Sequence, residues 1–234
     1  MFSLSERKSA AVLLLSGGMD STVLLHHVAR TLSPSPLISL SYSYGQRHSK
    51  ELGKAEWQAG RVGVDEHRVI PIEFVADLVS AGTSLVFGGG AVPDLNDLPK
   101  DALAQPPTYV PNRNMMLLSI AAAFAEAQGI HDVYYGAQAH DEYGYWDCTA
   151  DFIERINSVL SLNRRDAVTI HAPFVSERKS AIVRMGMELG VDFGRTWSCY
   201  RGGARPCGDC PTCVERRNAF GEAGFDDPLE GGEA

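Results

Sequence analysis

A chain of 234 residues with a formal net charge of −8 is long enough for one α/β domain and a small appendage. Its acidity argues against binding nucleic acid through bulk electrostatics, so we expect no stable nucleic-acid partner. No stretch has the length and hydropathy of a membrane span or a signal peptide, so we expect no membrane association and a cytoplasmic location.

The first predicted strand, residues 11–15, is joined to the first predicted helix, residues 21–31, by Ser-Gly-Gly-Met-Asp-Ser at 16–21. This order places backbone N–H groups at a helix N-terminus, where phosphate binds best, and adjacent glycines let an anion approach closely. No Gly-Lys-Ser/Thr follows, so the loop is not a Walker A motif. An ordinary strand–turn–helix with a polar cap is the alternative.

We predict that this loop binds the phosphates of ATP, with Mg²⁺ near the carboxylate of Asp20. The predicted nucleotide-binding residues are Leu15, Ser16, Gly17, Gly18, Met19, Asp20, Ser21 and Thr22.

Strand-like and helix-like runs alternate along the rest of the chain. Strands are predicted at residues 11–15, 37–44, 68–72, 132–136 and 168–173. Helices are predicted at residues 21–31, 49–62, 113–128, 150–162 and 177–189. Strands separated by helices pair in parallel through right-handed crossovers, which predicts a doubly wound α/β fold with a mainly parallel five-stranded sheet. Its ligand site should lie beyond the carboxyl ends of the strands, near the switch in strand order.

Residues 80–111 interrupt this alternation. The segment contains three consecutive glycines, several prolines and three aspartates, and it is too long for a simple connection. A mobile lid or substrate loop and a disordered insertion both fit this composition. At the other end, the acidic and glycine-rich residues 223–234 are predicted to be a flexible tail.

Four of the five cysteines lie close together near the C-terminus, at Cys199, Cys207, Cys210 and Cys213. Four thiolates at this spacing can close tetrahedrally on Zn²⁺, and they leave no open coordination position, which predicts a structural site. An iron–sulfur cluster is the alternative, but nothing else in the sequence indicates a redox function. We therefore predict a zinc-binding element at 196–222, following a main domain at 1–195.

Four further segments, together with the phosphate loop, indicate a family. They are Tyr-Gly-Gln-Arg-His at 44–48, Tyr-Val-Pro-Asn-Arg-Asn at 109–114, Gly-Ala-Gln-Ala-His-Asp-Glu-Tyr-Gly-Tyr-Trp-Asp-Cys at 136–148, and Thr-Trp-Ser-Cys-Tyr at 196–200. Over residues 12–220 the chain resembles the 7-cyano-7-deazaguanine synthases, the queuosine-pathway branch of the PP-loop ATP pyrophosphatases. It departs from their pattern at Gln138, where the family has Asn, and at 146–149, where Trp-Asp-Cys-Thr replaces Pro-Asp-Cys-Arg.

The resemblance implies a Rossmann-like PP-loop fold, a homodimer and an ATP-dependent ligase. Such a ligase converts 7-carboxy-7-deazaguanine and ammonia into 7-cyano-7-deazaguanine through an acyl-adenylate and an amide. Free ammonia is the expected nitrogen source, because the chain has no room for a glutaminase domain.

The candidate site residues follow from this resemblance and from the predicted strand ends. The catalytic candidates are Asp20, Arg47, His48, Arg113 and Asp147. The substrate-binding candidates are Tyr44, Gln46, Asn114, Asp141, Tyr145 and Asp147. Arg47 follows the second strand and can pair with an anion, and Arg113 opens a helix where it can do the same. Asp147 is expected to accept hydrogen bonds from the substrate base.

Three other functions stay open at this point. A tRNA thiolase or other sulfurtransferase can use the same scaffold, but it needs an RNA-binding surface, which the net charge disfavours. A ligase acting on a related deazapurine is compatible with the altered segment at 146–149. A nucleotide-binding module without catalysis is disfavoured by the intact phosphate loop.

Overall fold

The computed structural model describes residues 9–98, 105–138 and 145–230. Its centre is a parallel sheet of five strands in the order β3-β2-β1-β4-β5. The strands are β1 Ala11–Leu14, β2 Leu37–Ser43, β3 Glu66–Pro71, β4 Asp132–Tyr134 and β5 Thr169–His171. The helices are α1 Met19–Thr31, α2 Lys50–Val62, α3 Phe74–Val79, α4 Arg113–Ala127, α5 Ala150–Leu160, α6 Lys179–Glu188 and α7 Pro211–Ala223.

The predicted doubly wound sheet is confirmed, and each predicted strand and helix is present within two residues of its predicted bounds. Two helices, α3 and α7, were not predicted. Helix α7 begins inside the cysteine cluster, with Pro211 in its first turn, where the sequence analysis considered only metal ligation. Within the described residues, no helix combines the length and the hydropathy needed to cross a membrane.

The central strand β1 is buried on both faces, which explains its uninterrupted apolar sequence. Val12 and Leu14 face a core that includes Leu118 of α4 and Phe152 of α5. Residues 11, 13 and 15 face a second core formed with helices α1, α2, α6 and α7. Helices on both faces of the sheet therefore hold its strands in place.

Strand β1 pairs with β2 on one side and with β4 on the other. The connections that leave β1 and β4 therefore run to opposite faces and leave a crevice between them, at the carboxyl ends of the strands. The switch in strand order lies where the sequence analysis expected the ligand.

The described part of the long insertion packs against the domain. Leu85 and Val86 are fully buried, and Val86 pairs with Gln46 in an isolated bridge. The Leu85 carbonyl accepts the Arg47 N–H at 3.0 Å, and the Leu95 N–H donates to the Asp209 carbonyl at 3.1 Å. Residues 99–104 lie outside the described residues, and the lid stays a prediction.

The start of the tail is anchored at Asp227. Its carboxylate forms a bidentate ion pair with the Arg216 guanidinium, with N–O distances of 2.7 and 2.9 Å. Both side chains are 4% exposed. Arg216 also donates to the Thr196 hydroxyl at 2.7 Å and the Phe193 carbonyl at 3.0 Å. Asp227 lies within the predicted flexible tail but is held in place by these contacts. Residues 231–234 of the tail lie outside the described residues.

We expect Asp227→Ala to lower the free energy of unfolding by about 3–5 kcal/mol, because it leaves the Arg216 charge buried without its counter-ion. Urea denaturation followed by circular dichroism measures this loss. The neighbouring Asp226 is exposed, so Asp226→Ala is the matched control and should change stability by about 0.5 kcal/mol or less. Equal effects of the two variants would contradict the anchoring role.

Candidate active site

A cavity of about 260 Å³ opens in the crevice beyond the carboxyl ends of β1 and β4. Its wall is formed by the phosphate loop, the segment after β2, the first turn of α4, the segment after β4 and the start of the cysteine element. Every sequence motif that carried the family resemblance therefore contributes to one cavity.

The phosphate loop is held in shape by its glycines and serines. Gly17 has a φ of +84°, and a Cβ there would lie 2.0 Å from the Glu51 carbonyl oxygen, so only glycine fits against α2. The Ser16 hydroxyl lies 3.0 Å from the Ser21 hydroxyl and accepts the Gly18 N–H at 3.2 Å. Gly18 is the N-cap of α1, so the N–H groups of the first turn point to the cavity end of the helix.

The other predicted nucleotide-binding residues divide into two groups. Leu15, Met19 and Asp20 line the cavity with the loop. Thr22 is fully buried beneath them in the first turns of α1 and does not reach the cavity wall.

Two contacts bring the C-terminal part of the chain to this loop. The Trp197 N–H donates to the Gly17 carbonyl at 3.0 Å. Lys179, at the start of α6, pairs with Glu215 of α7 at 2.6 Å, and both side chains line the cavity. The positively charged side chain of Lys179 therefore lies in the same cavity as the phosphate loop.

Arg113 is the first residue of α4. It lines the same cavity as the phosphate loop. Its guanidinium hydrogen-bonds the buried hydroxyl of Tyr44. Its Nε donates to the amide oxygen of Asn114 at 3.2 Å. A cationic side chain and a helix N-terminus thus face the cavity together, which is a favourable place for a carboxylate.

His48, Glu51 and Gln46 form a buried group beside Arg113. Nε2 of His48 lies 3.4 Å from Oε1 of Glu51, and the Gln46 amide donates to the same oxygen at 3.4 Å. Burial and the Arg113 charge lower the pKa of His48 to about 4. Burial raises the pKa of Glu51 to about 8, against the opposing effects of Arg113 and Gln46. At neutral pH both groups are therefore mainly uncharged.

Asp147 lies behind the cavity wall rather than in it. Its carboxylate accepts the Asn114 backbone N–H at 3.4 Å, and burial raises its pKa against the opposing charge of Arg113. Asn114 and Cys148 line the cavity, and the Asn114 amide donates to the Cys148 sulfur at 3.4 Å. Tyr145 also lines it, with its hydroxyl 2.7 Å from that of Thr108. In this arrangement Asp147 positions Asn114, and its contact with a substrate base stays a prediction.

Arg47 and Gln46, like Thr22 and Asp147, are not brought to the cavity wall. Arg47 directs its guanidinium to the carbonyls of Val86 and Gly89, at 3.1 and 2.6 Å, and so holds the insertion. Gln46 is turned inward, where its amide oxygen accepts the Tyr44 N–H at 2.8 Å. Asp141 lies outside the described residues. The catalytic and substrate-binding roles of these residues stay predictions.

Glu51, Tyr135 and Tyr200 are among the cavity residues that sequence reasoning missed. A signal was present for Glu51, since it lies three residues after His48 at the start of a helix, and residues at this spacing share a face. Tyr200 was quoted within a motif but was given no role. Tyr135 belongs to the fourth predicted strand, and only its packing shows that its hydroxyl lies 3.8 Å from the Cys148 sulfur.

The four clustered cysteines are brought together as predicted. Their sulfur atoms all lie within 4.8 Å of one another, and those of Cys207 and Cys213 are 3.9 Å apart. Zn–S bonds of about 2.3 Å in a tetrahedron require sulfurs about 3.8 Å apart, so the cluster fits a four-thiolate metal site. Hydrogen bonds among the thiols lower the pKa of Cys199 and raise the pKa of Cys213, so the first thiolate of the cluster forms at Cys199.

Comparison with known proteins agrees with this geometry. A family model described as "Queuosine biosynthesis protein QueC" matches residues 10–224. The chain therefore belongs to the QueC family. A 7-cyano-7-deazaguanine synthase from Thermoplasma acidophilum is 42% identical over 96% of this chain and 92% of its own length. Another from Alteromonas mediterranea is 38% identical over 94% of this chain and 97% of its own length.

These relatives confirm the family resemblance drawn from the motifs and the assignment of the chain to ATP-dependent enzymes of the queuosine pathway. The fold has a solved counterpart in the U34-tRNA thiolase NcsA from Methanococcus maripaludis. That structure covers 93% of this chain with a TM-score of 0.51 and 13% identity, and the match covers 67% of its own chain. At this identity the similarity is one of fold.

The pKa of Glu51 predicts how stability changes with pH. The native state holds a proton on Glu51 up to about pH 8, whereas the unfolded chain loses it near 4.5, so this group makes stability fall as the pH rises between these values. His48 acts in the opposite direction between about pH 4 and 6.5, because its native pKa is lowered. The two effects on the free energy of unfolding offset one another up to pH 6.5. Above pH 6.5 only the destabilising effect of Glu51 remains.

We therefore expect the free energy of unfolding of the wild-type protein to fall by about 2 kcal/mol more than that of Glu51→Gln between pH 6.5 and 8. Urea titrations at pH 5, 6.5 and 8 measure the difference. Glu56 is an exposed residue of the same helix, and Glu56→Gln should follow the wild type. Parallel curves for wild type and Glu51→Gln would contradict the raised pKa.

Proposed function

We propose that the chain is a ligase that uses two molecules of ATP to convert 7-carboxy-7-deazaguanine and ammonia into 7-cyano-7-deazaguanine. The observation that carries the proposal is that one cavity contains the phosphate loop at the start of α1 and Arg113 at the start of α4. Two helix N-termini and an arginine can hold two anions with their reacting atoms in contact, which is what adenylation of a carboxylate requires.

In the first half of the reaction, the substrate carboxylate pairs with Arg113, and the loop N–H groups hold the β- and γ-phosphates of ATP. A carboxylate oxygen attacks the α-phosphorus, the bond to the β-phosphate oxygen breaks, and pyrophosphate leaves. Lys179 is placed to offset the charge that builds on the phosphates. Ammonia then attacks the acyl carbon, AMP leaves with the former carboxylate oxygen, and the amide remains.

In the second half, the amide oxygen attacks a second ATP in the same way and again releases pyrophosphate. The nitrogen loses one proton as the amide oxygen is adenylated and its last proton as AMP leaves with that oxygen, which gives the nitrile. An amide oxygen is a poor leaving group, and adenylation converts it into a good one. A single cavity serves both halves, because acid and amide have the same ring and nearly the same shape.

The altered segment at 146–149 supports the same substrate. Thr149, which replaces arginine, is the N-cap of α5, and its hydroxyl accepts the Phe152 N–H at 3.2 Å. Trp146, which replaces proline, packs edge-on against Phe152 and donates to the Tyr109 hydroxyl at 2.9 Å. Neither side chain is among the described residues that line the cavity, which is compatible with the same substrate.

Further parts of the proposal concern the metals and the assembly. Mg²⁺ carried in with ATP would be held at Asp20 and would neutralise phosphate charge. Zn²⁺ would be held by Cys199, Cys207, Cys210 and Cys213 as a structural ion, because four protein ligands leave no position for a reactant. A cytoplasmic homodimer that uses free ammonia completes the proposal.

The reaction is tested by incubating the purified protein with 7-carboxy-7-deazaguanine, ATP and ammonium. We expect two AMP for each nitrile, an amide that appears first, and conversion of supplied amide with one AMP. Mass spectrometry of the base and chromatography of the nucleotides measure these ratios. AMP formation with a different acid but none with this substrate would keep the ligase chemistry and reject the substrate.

The metal is tested by elemental analysis. We expect one zinc per chain, and Cys210→Ala should lose the metal and much of the stability, since a structural zinc contributes folding free energy directly. Cys148 lies outside the cluster, so Cys148→Ala should keep the full zinc content. Iron with acid-labile sulfide, or an active protein without metal, would reject zinc.

A further inference from the structure

The cavity contains a histidine nitrogen that the proposed reaction has not used. His48 is 5% exposed and lines the cavity, and its Nδ1 has no hydrogen-bond partner among the described residues. A buried ring nitrogen without a partner costs free energy, so its retention at a cavity wall indicates that a ligand supplies the partner.

The other nitrogen of the ring faces a carboxyl group. Nε2 of His48 lies 3.4 Å from Oε1 of Glu51, a distance at which catalytic hydrogen bonds often stand before the substrate binds. The Glu51 oxygen can accept the Nε2 proton whichever charge the carboxyl group carries. The lone pair of the ring then lies on Nδ1, the buried nitrogen without a partner among the described residues.

Glu51 is itself held in place from behind. The Gln46 amide donates to Oε1 of Glu51 at 3.4 Å and to the Tyr42 carbonyl at 3.0 Å, and its oxygen accepts the Tyr44 N–H at 2.8 Å. The order Gln46–Glu51–His48 therefore runs from the end of β2 into the cavity. A nucleophile-activating histidine oriented by a carboxyl group is a recurrent arrangement in enzymes.

The reaction needs a proton acceptor in both halves. The tetrahedral adduct of ammonia and the acyl-adenylate carries an N–H proton that must leave before the adduct expels AMP and becomes the amide. The amide then loses one N–H proton when its oxygen is adenylated and the other when AMP leaves and the nitrile forms. Arg113, which would hold the reacting carboxylate, lines the same cavity as His48, so the acceptor and the reacting carbon share that cavity.

We propose, resting on the ligase function above, that Nδ1 of His48 accepts the proton lost by the substrate nitrogen in both halves, and that Glu51 is the positioning residue that holds the ring for this task. In the first half the N–H electron pair remains on the nitrogen of the amide, and in the second half the last N–H electron pair forms the second π bond of the C≡N group. AMP leaves with the electrons of the C–O bond, and the proton passes from His48 to solvent when products depart.

The proposal separates adenylation from proton removal, so two assays test it. Exchange of labelled pyrophosphate into ATP, measured with the acid and without ammonia, reports adenylation alone. Amide formation with ammonium reports both steps. We expect Glu51→Ala to slow amide formation about 100-fold and Glu51→Gln about 10-fold, because glutamine keeps an acceptor for Nε2–H but cannot give up a proton to become the carboxylate that would stabilise the imidazolium.

In both variants the exchange rate should stay within about twofold of wild type, since the backbone carbonyl of Glu51 that packs on Gly17 is retained. Glu56→Gln, on the exposed side of α2, should leave both assays unchanged. His48→Ala should match Glu51→Ala, and the double variant should be no slower than either, because the two residues act as a unit.

Three results would overturn the proposal. An equal loss of exchange and amide formation in Glu51→Gln would assign Glu51 to adenylation or folding. Unchanged amide formation in Glu51→Ala would remove its role in proton transfer. A wild-type protein that shows no exchange with 7-carboxy-7-deazaguanine would reject the ligase function and this inference together, whereas the first two results leave the ligase function standing.

Discussion

The close packing of Gly17 against α2 is the contact on which the site depends. The absence of a side chain at Gly17 lets the phosphate loop touch the backbone of Glu51, and the Trp197 N–H closes on the Gly17 carbonyl from the other side. One residue of the loop thus joins the first half of the domain to the segment that enters the cysteine cluster. Any larger residue at 17 would have to separate α2 from the loop.

This contact explains why the four-cysteine cluster lies so near the cavity. Ser198 and Tyr200 flank Cys199 and line the cavity, and Thr212, between two other cysteines, donates to the Ser198 carbonyl at 2.7 Å. The segment contains few apolar side chains of its own, so thiolate bonds to a metal would supply the rigidity that a core supplies elsewhere. The buried ion pair of Arg216 with Asp227 joins α7 of the same element to the residues that follow it.

The electrostatics of the cavity follow from where its charges are buried. Arg113 brings a permanent positive charge to the end of α4, and the acid at Glu51 keeps its proton beside it because burial opposes ionisation. The end of the cavity at Arg113 therefore attracts anionic ligands. Lys179 adds a second positive group near the phosphate loop, paired with Glu215 in the described structure.

The sequence by itself determined the local chemistry. Strand, loop and helix at 11–31 could be predicted because apolar periodicity and paired glycines act over short distances, and the cysteine spacing specified a metal site for the same reason. The departures at Gln138 and at 146–149 were visible, but their effect was not.

Only the tertiary structure decided which side chains share the cavity. Arg47 and His48 are neighbours in sequence, yet Arg47 holds the insertion and His48 lines the cavity. Asp147 lies behind Asn114, and Glu51 became visible only where α2 meets the phosphate loop. These assignments depend on contacts between residues far apart in the chain, and packing, which no local pattern encodes, sets the direction of each side chain.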